Sequence, residues 1–125
     1  SPWVDLECLG KSMNNKSEVD PLIQKAYLKE LATAYLNGAD PRSALAAPMY
    51  ANLKGLAPLL IQVGSAETLL DDAIRLANVA GNADVAVTLE VWPDMIHAWP
   101  LFHQQVTAGR HAIARAGWFI RSRMS

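Results

Sequence analysis

The sequence predicts an α/β fold in which helices pack against a mostly parallel sheet. Two short apolar stretches have the length of strands, and helical spacing precedes, separates and follows them. The resulting order of helix, strand, helix, strand, helix is typical of layered α/β proteins. A chain of 125 residues that is 51% hydrophobic is long enough to form a core. We therefore expect one domain over residues 1–125.

The first predicted helix follows a turn-rich segment at residues 1–19. The dipeptide Asp20–Pro21 is typical of an N-cap followed by the first helical position. Apolar residues then recur with helical spacing at Leu22, Ile23, Ala26, Tyr27, Leu31, Ala34 and Tyr35. The pair Asn37–Gly38 is expected to end this helix, because both residue types accept a left-handed backbone. A long, proline-containing connection follows from Asp40 to Pro58.

Two strands are predicted from their apolar patterns. Leu59 to Val63 is apolar apart from Gln62, which suits a strand covered on both faces. Ala86 to Trp92 alternates in polarity, which favours a strand near the sheet edge with one wetter face. Because two strands alone rarely form a stable sheet, a third strand is expected to end at Ser1–Trp3.

The helix between the two strands is predicted over Asp71 to Ala80, after a turn at Gly64 to Leu70. Its first two residues are acidic, which suits the positive end of the helix dipole. Helical spacing places Ile74 and Ala77 toward the core, and Gly81 closes the helix.

The last predicted helix spans Arg110 to Ser122 and follows a loop from Pro93 to about Ala108. Its residues with inward helical spacing are Ile113, Ala116, Gly117 and Ile120. Together with the elements before it, this helix completes a layered arrangement on a small parallel sheet.

Composition and charge exclude several classes of partner. A formal net charge of −1 argues against a nucleic-acid-binding surface. No apolar run approaches the length that crosses a bilayer, so no membrane span is expected. The single cysteine, Cys8, forms no internal disulfide, which fits a cytoplasmic location. Because the sequence begins without Met, we expect a fragment, a processed product or a trimmed chain.

A carboxylate and a histidine follow the two predicted strands. Glu67 comes directly after the first strand, and His97 follows the second strand 30 residues later. Loops at the carboxyl ends of parallel strands meet at one edge of a sheet, so the two side chains are expected to lie close together. A carboxylate beside an imidazole can orient that imidazole as a general base and stabilise its charge. A nucleophile on a sharp turn of its own is missing from the sequence.

Three residues near Glu67 offer alternatives within the same turn. Asp71 and Asp72 are rivals for the role of acid, although Glu67 comes straight off the strand and the aspartates suit the helix start better. Ser65 could be the nucleophile of a Gly-x-Ser-x-Gly elbow, but Glu67 stands where the second glycine of that motif belongs. The acid role is therefore assigned to Glu67.

Other chemistries have weaker support in the sequence. Cys8 could act as a nucleophile with His97, but a lone cysteine is more often inert and packed. A site formed by Glu67, His97 and His103 lacks a recognised metal-ligand spacing, so neither a metal nor another cofactor is expected. A receiver domain of the response-regulator type would need a lysine at a late strand end, and no lysine follows Lys54.

Two aromatic residues follow the histidine closely. Trp99 and Phe102 could line a pocket for the acyl or alcohol part of a substrate. They could equally anchor the loop to the core, because large aromatic side chains dominate core packing. Both interpretations are open from the sequence, and Trp99 and Phe102 are candidate substrate contacts.

Several segments resemble the hormone-sensitive-lipase-like branch of the α/β-hydrolases. They are Ser1–Leu6, Asp40–Pro41, Pro58–Glu67 and the loop that carries His97. The resemblance covers essentially the whole chain but only the C-terminal portion of that fold. It implies a partial domain that forms the end of a doubly wound, mostly parallel sheet in a three-layer αβα sandwich.

The resemblance also implies a serine carboxylesterase or lipase-like activity on a small ester. Glu67 matches the triad acid, which is usually Asp before Pro-Leu, and His97 matches the triad histidine, with Ala98 where glycine is usual. The serine elbow and the His-Gly-Gly motif of such enzymes do not occur here. The chain is thus expected to supply the acid and the base, inactive without the missing N-terminal part of the fold. The alternative is a non-catalytic remnant or binding module, with a second copy as a possible partner.

Overall fold

Helices and a two-stranded parallel sheet alternate along residues 1–124, the part of the chain that the computed structural model describes. The strands are β1 (Leu59–Gly64) and β2 (Val87–Trp92), and the helices are α1 (Ser12–Asn15), α2 (Lys25–Leu36), α3 (Leu70–Asn82) and α4 (Thr107–Arg123). Two 3₁₀ turns lie at Pro48–Tyr50 and Trp99–Phe102. The predicted α/β layering and the order of its main elements are confirmed. Within the described residues, no helix has the length and apolar character required to cross a membrane.

The two strands pair in parallel, and their ends are aligned. Leu59 lies beside Val87 at one end, and Gly64 lies beside Trp92 at the other. α3 forms the connection between the strands, as a parallel pair requires. Because both strands run in the same direction and end level, the turns that follow them leave the sheet at the same edge.

Residues 1–5 form no strand, so the expectation of a third strand at Ser1–Trp3 is wrong. Their backbone donors bond a side chain instead of a neighbouring strand. The N–H groups of Val4 and Asp5 donate to Asp72 Oδ2 at 2.9 and 3.0 Å. Asp72 lies in the first turn of α3, as predicted, but it is fully buried and fixes the N-terminal segment.

A second buried acid continues this polar cluster. Asp5 accepts hydrogen bonds from the N–H groups of Glu7 and Leu9 and from Arg75 Nη1, the last at 2.6 Å. Burial acts against the charge of Asp5, but the bonds from Arg75, Leu9 and Glu7 outweigh burial and lower the pKa of Asp5. The cluster therefore ties the N-terminal segment to α3 through charged side chains.

The second helix begins at Lys25, so the predicted start at Pro21 is wrong. The Asp20 side chain does cap backbone donors, because Oδ1 accepts from the N–H groups of Leu22 and Ile23. These bonds close a separate turn before the helix. The predicted end is confirmed, since the pair Asn37–Gly38 takes a left-handed backbone, with φ of 44° and 86°.

α3 packs on β1 through small residues. Ala73 contacts Ile61 and Val63 in one buried cluster, and Ala77 packs against its edge as predicted. The prediction that Ile74 faces the core is wrong, because its side chain is 42% exposed. Successive side chains of an α-helix point about 100° apart, so Ile74 faces solvent when Ala73 faces the core.

α4 also buries small residues. Gly109 and Ala112 are buried, whereas Ile113 and Ile120 are exposed, so the predicted inward positions of these two isoleucines are wrong. A Cβ at Gly109 would lie 3.1 Å from the carbonyl oxygen of Trp99. The start of α4 therefore approaches the 3₁₀ turn more closely than a larger residue would permit.

The buried Asp72 carboxyl predicts a pH-dependent stability. Burial raises the pKa of Asp72 to about 6 in the folded chain, above its ordinary value of 3.8. The folded state then binds the extra proton between these two pH values, so this group favours folding less as the pH rises from 4 to 6. Asp72→Asn keeps an oxygen that can accept from Val4 and Asp5. The free energy of unfolding of Asp72→Asn minus that of the wild type should therefore increase by roughly 1–3 kcal/mol between pH 4.5 and pH 7.5.

Urea denaturation at both pH values measures this difference. The control is Asp84→Asn, since Asp84 is exposed and its variant should follow the wild type at both pH values. A stability difference between Asp72→Asn and wild type that stays constant with pH would contradict the prediction.

Exposed apolar side chains and open strand edges predict self-association of the isolated chain. Within residues 1–124 each strand pairs with one neighbour only, which leaves one edge of each unpaired. Large apolar side chains are exposed on β2 and α4, at Val91, Ile113, Trp118 and Ile120. Sedimentation velocity should detect dimers or larger species that increase with concentration. Ile120→Lys should weaken association more than Ala114→Lys does, and a monomer at all concentrations would show the prediction to be wrong.

Candidate active site

Glu67 lies in the turn between β1 and α3, and its side chain is 0% exposed. Its Oε1 accepts two hydrogen bonds, from the backbone N–H of Gly64 at 2.6 Å and from the Ser1 hydroxyl at 2.7 Å. Its Oε2 lies 3.3 Å from His97 Nδ1. The two oxygens therefore have different partners. Oε1 is bonded by Gly64 and Ser1, and Oε2 faces the imidazole.

His97 lies in the turn after β2, opposite Glu67. Its side chain is 28% exposed, so part of the ring is open to an incoming group. With Nδ1 directed at the Glu67 carboxylate, a proton on Nδ1 is stabilised and Nε2 is left as the acceptor. The two residues that the sequence singled out thus lie side by side, in an arrangement suited to a general base.

The turn that carries Glu67 and the turn that carries His97 are bonded to each other. The N–H of Ser65 donates to the Trp92 carbonyl at 2.9 Å, and the N–H of Ala66 donates to the Met95 carbonyl at 3.1 Å. The Ser65 hydroxyl accepts from the N–H of Asp94 at 2.8 Å. Ser65, the alternative nucleophile, therefore serves as a link between the two turns.

Gly64 lies very close to the backbone of the turn after β2. A Cβ at this position would overlap the carbonyl group of Met95 and crowd Glu67 Oε1. The absence of a side chain lets the two turns pack directly against each other, which sets the separation of the acid and the histidine.

Thr68, the residue after Glu67, is hydrogen-bonded to two residues that precede it in the sequence, Asp20 and Ser12. Thr68 donates to Asp20 Oδ2 from its backbone N–H at 2.8 Å and from its hydroxyl at 3.1 Å. Its carbonyl accepts from the Ser12 hydroxyl at 2.6 Å. Asp71 Oδ2 accepts from the N–H of Ser12, so Asp71 belongs to this support, whereas the hydrogen bond of the His97 ring is to Glu67.

No local pattern in the sequence indicates this supporting role for Ser1, Ser12 and Asp20. Asp20 has the spacing of a helix cap and does cap a turn, so the sequence does not show that it also accepts hydrogen bonds from Thr68. The other two are single serines in a turn-rich segment, 66 and 56 residues from the groups that they bond. Only the folded chain brings them together.

The two aromatic candidates occupy different environments. Trp99 is 2% exposed and packs on Trp92, with ring centroids 5.8 Å apart, and its indole N–H donates to the Ala108 carbonyl. Phe102 is 43% exposed. An open cavity of about 300 Å³ lies beside the 3₁₀ turn and is lined by Ser1, Gln62, Ala98, Trp99, Pro100 and Leu101. A role of Trp99 and Phe102 in substrate contact stays a prediction.

Cys8 is a poor alternative nucleophile. It is fully buried, and burial, followed by the nearby charges of Asp5 and Asp72, raises the pKa of its thiol to about 11. The thiolate is the reactive form of cysteine, so this thiol stays unreactive near neutral pH. For residues 1–124, no group of three or more His, Cys, Asp or Glu side chains is arranged to hold a metal ion.

Comparison with known proteins connects this geometry to one family. Residues 1–101 match the family described as the alpha/beta hydrolase fold. An acetyl-hydrolase from Streptomyces hygroscopicus is 47% identical over 122 residues, and an esterase from Acinetobacter venetianus is 32% identical over 126 residues. Each alignment covers 98% of this chain and 41% of the relative. The chain thus spans about two fifths of the length of these relatives, in their C-terminal portion.

Solved structures give the same result. An esterase from the bacterial hormone-sensitive lipase family matches with a TM-score of 0.97 and 45% identity, over 99% of this chain and 42% of that protein. A hormone-sensitive lipase from a metagenome library matches with a TM-score of 0.94 and 38% identity, over 98% of this chain and 42% of that protein. Both the backbone and the sequence are therefore similar to part of such enzymes.

The tight contact at Gly64 predicts that a single methyl group is damaging there. Gly64→Ala should lower the free energy of unfolding by roughly 2–4 kcal/mol, because the new Cβ must displace the Met95 carbonyl group. Gly81→Ala is the control: nothing lies within 4 Å of its Cβ, and Ala favours a helix by about 0.5–1 kcal/mol over Gly. Urea denaturation of the two variants should therefore give shifts of opposite sign. Equal stability of Gly64→Ala and wild type would contradict the close packing of the two turns.

Proposed function

Because the chain belongs to the alpha/beta-hydrolase family, we propose that it supplies the acid and the histidine of a Ser–His–acid triad that hydrolyses carboxylic esters. The observation that carries this proposal is the pairing of Glu67 Oε2 with His97 Nδ1 at 3.3 Å at the carboxyl edge of the sheet. The relatives named esterase and acetyl-hydrolase support the same reaction class.

In the proposed mechanism His97 acts as general base and then as general acid. Nε2 takes the proton of a serine hydroxyl as the serine oxygen attacks the ester carbonyl carbon. The same nitrogen then gives that proton to the departing alcohol, which leaves an acyl-enzyme. A water molecule repeats the sequence and releases the carboxylic acid. The partial exposure of His97 allows a serine and a substrate to reach Nε2.

Glu67 is proposed to hold the imidazole in the required tautomer. A proton on Nδ1, facing Oε2, leaves Nε2 free to accept the proton of the serine. When His97 becomes positively charged, the adjacent carboxylate stabilises that charge. The burial of Glu67 strengthens this effect, because water screens the interaction less there.

The nucleophilic serine and the oxyanion donors are proposed to come from the part of the fold that this chain does not span. In α/β-hydrolases the chain order is serine, acid and then histidine, and the serine lies in a Gly-x-Ser-x-Gly elbow. That motif does not occur in residues 1–125. The relatives extend well beyond the aligned region, which leaves ample length for the elbow.

A second candidate function is a non-catalytic binding module. The observation that favours it is the missing serine motif in residues 1–125. Such a module would keep the Glu67–His97 pair only as a link between two turns, and the chemistry of the ring would be irrelevant.

A chimera separates the two candidates. Residues 1–125 replace the aligned C-terminal portion of the Streptomyces hygroscopicus acetyl-hydrolase, which keeps its own preceding segment. We expect hydrolysis of p-nitrophenyl acetate, because that relative is named an acetyl-hydrolase. His97→Ala and Glu67→Ala should each lower kcat/KM by about 10³-fold or more.

Matched controls test the specificity of that loss. His103 and Glu30 are exposed residues of the same types, and their alanine variants should keep the activity of the chimera. Circular dichroism and thermal unfolding should show that all four variants remain folded. Near-normal turnover by the His97→Ala variant would refute the triad and leave the binding module as the better account.

A further inference from the structure

Ser1 makes a hydrogen bond that the proposed mechanism does not use. Its hydroxyl lies 2.7 Å from Glu67 Oε1. Of the side chains in residues 1–124, only Ser1 and His97 make hydrogen bonds to Glu67, and the remaining donor is the backbone N–H of Gly64. This hydrogen bond joins two residues that are 66 positions apart in the sequence, and its acceptor is a fully buried carboxylate. We therefore asked what the Ser1 hydroxyl does for Glu67.

We propose that Ser1 is a positioning residue for Glu67, and that its hydroxyl fixes the orientation of the carboxylate so that one oxygen stays directed at His97. This inference rests on the proposed function of the Glu67–His97 pair. Two donors converge on Oε1 from separate segments, the N–H of Gly64 from β1 and the Ser1 hydroxyl from the N-terminal segment. With both bonds in place, the carboxylate cannot rotate without losing them, and Oε2 stays directed at the imidazole.

Glu67 Oε1 has two lone pairs, and each of them can accept a hydrogen bond. A buried carboxylate oxygen is stabilised by each donor that replaces the water it has lost. Gly64 alone would leave Oε1 under-satisfied, so the carboxylate would gain little from one orientation over another. The second donor makes the observed orientation the preferred one, because charge-assisted hydrogen bonds are stronger than neutral bonds.

The backbone around Ser1 is held where this task requires it. Pro2 restricts Ser1 to an extended backbone. Val4 and Asp5 are bonded to Asp72, which lies in the helix that begins just after the Glu67 turn. The donor and the acceptor are therefore both anchored to the start of α3.

A matched pair of substitutions isolates the hydroxyl. Ser1→Thr keeps the oxygen and adds a methyl group, whereas Ser1→Val has almost the same shape without the oxygen. Ser1 borders open cavities of about 400 and 300 Å³, so both side chains have room. Ser1→Ala is the second variant that lacks the hydroxyl, and it replaces Ser1→Val if the valine variant does not fold.

The measurement is the nitrogen-15 NMR spectrum of the His97 ring in the 125-residue chain, taken at a pH where the ring is neutral. The two ring shifts report how the proton is shared between Nδ1 and Nε2. The unmodified chain and Ser1→Thr should favour the Nδ1–H form. Ser1→Val and Ser1→Ala should lower the ratio of Nδ1–H to Nε2–H by about threefold or more.

Each outcome decides between distinct conclusions. If Ser1→Val and Ser1→Thr give the same ratio as the unmodified chain, the positioning role is wrong while the Glu67–His97 pair stands. If the unmodified chain shows no preference for Nδ1–H, and Glu67→Gln leaves the ratio unchanged, the pair itself is wrong and both proposals fail. A purely structural role for Ser1 would lower stability without changing the tautomer ratio, which is the first of these outcomes.

Discussion

The buried carboxylate of Glu67 is the group on which the organisation of this chain depends. A carboxylate removed from water is costly unless donors surround it, and here the donors come from three separate parts of the chain. Ser1 approaches from the N-terminal segment, Gly64 from the end of β1 and His97 from the turn after β2. Satisfying this one side chain therefore requires that the N-terminal segment and both strand ends meet at the candidate site.

The aligned strand ends explain how a sheet of two strands can position the buried Glu67 carboxylate. β1 and β2 end level, and the turns after them touch at Gly64, where no side chain separates the two backbones. The surrounding polar side chains then act as braces. Asp72 accepts from the N–H groups of Val4 and Asp5. Asp20 accepts from the N–H groups of Leu22 and Ile23 and from the N–H and hydroxyl of Thr68. The buried acids thus have two roles. Asp72 and Asp20 hold segments of the chain together, and Glu67 faces the imidazole.

The sequence allowed the strands, the crossover helix and the Glu67–His97 juxtaposition to be predicted, because these follow from local periodicity and from the geometry of parallel strands. Helix faces were predicted less well. The apolar spacing at Ile74 and Ile113 resembles an inward stripe, yet small residues beside them approach the sheet more closely and take the core positions. The start of α2 was misplaced because Asp20 can cap either a helix or an isolated turn. Ser1 and Ser12 act through contacts across more than fifty residues, which no local pattern encodes.

The proposed division of the triad follows from this dependence on neighbouring strands. Glu67 and His97 lie at the ends of two adjacent strands, and the groups that hold the Glu67 carboxylate beside the imidazole lie within residues 1–124. The serine elbow of an α/β-hydrolase belongs to a different strand and brings its own turn geometry. We therefore propose that preorganisation of the base is a property of this chain, while the proposed nucleophile and oxyanion donors come from the rest of the fold. On this view the imidazole tautomer is fixed before the serine is in place, and docking of the serine strand adds a proton donor to a base that is already oriented.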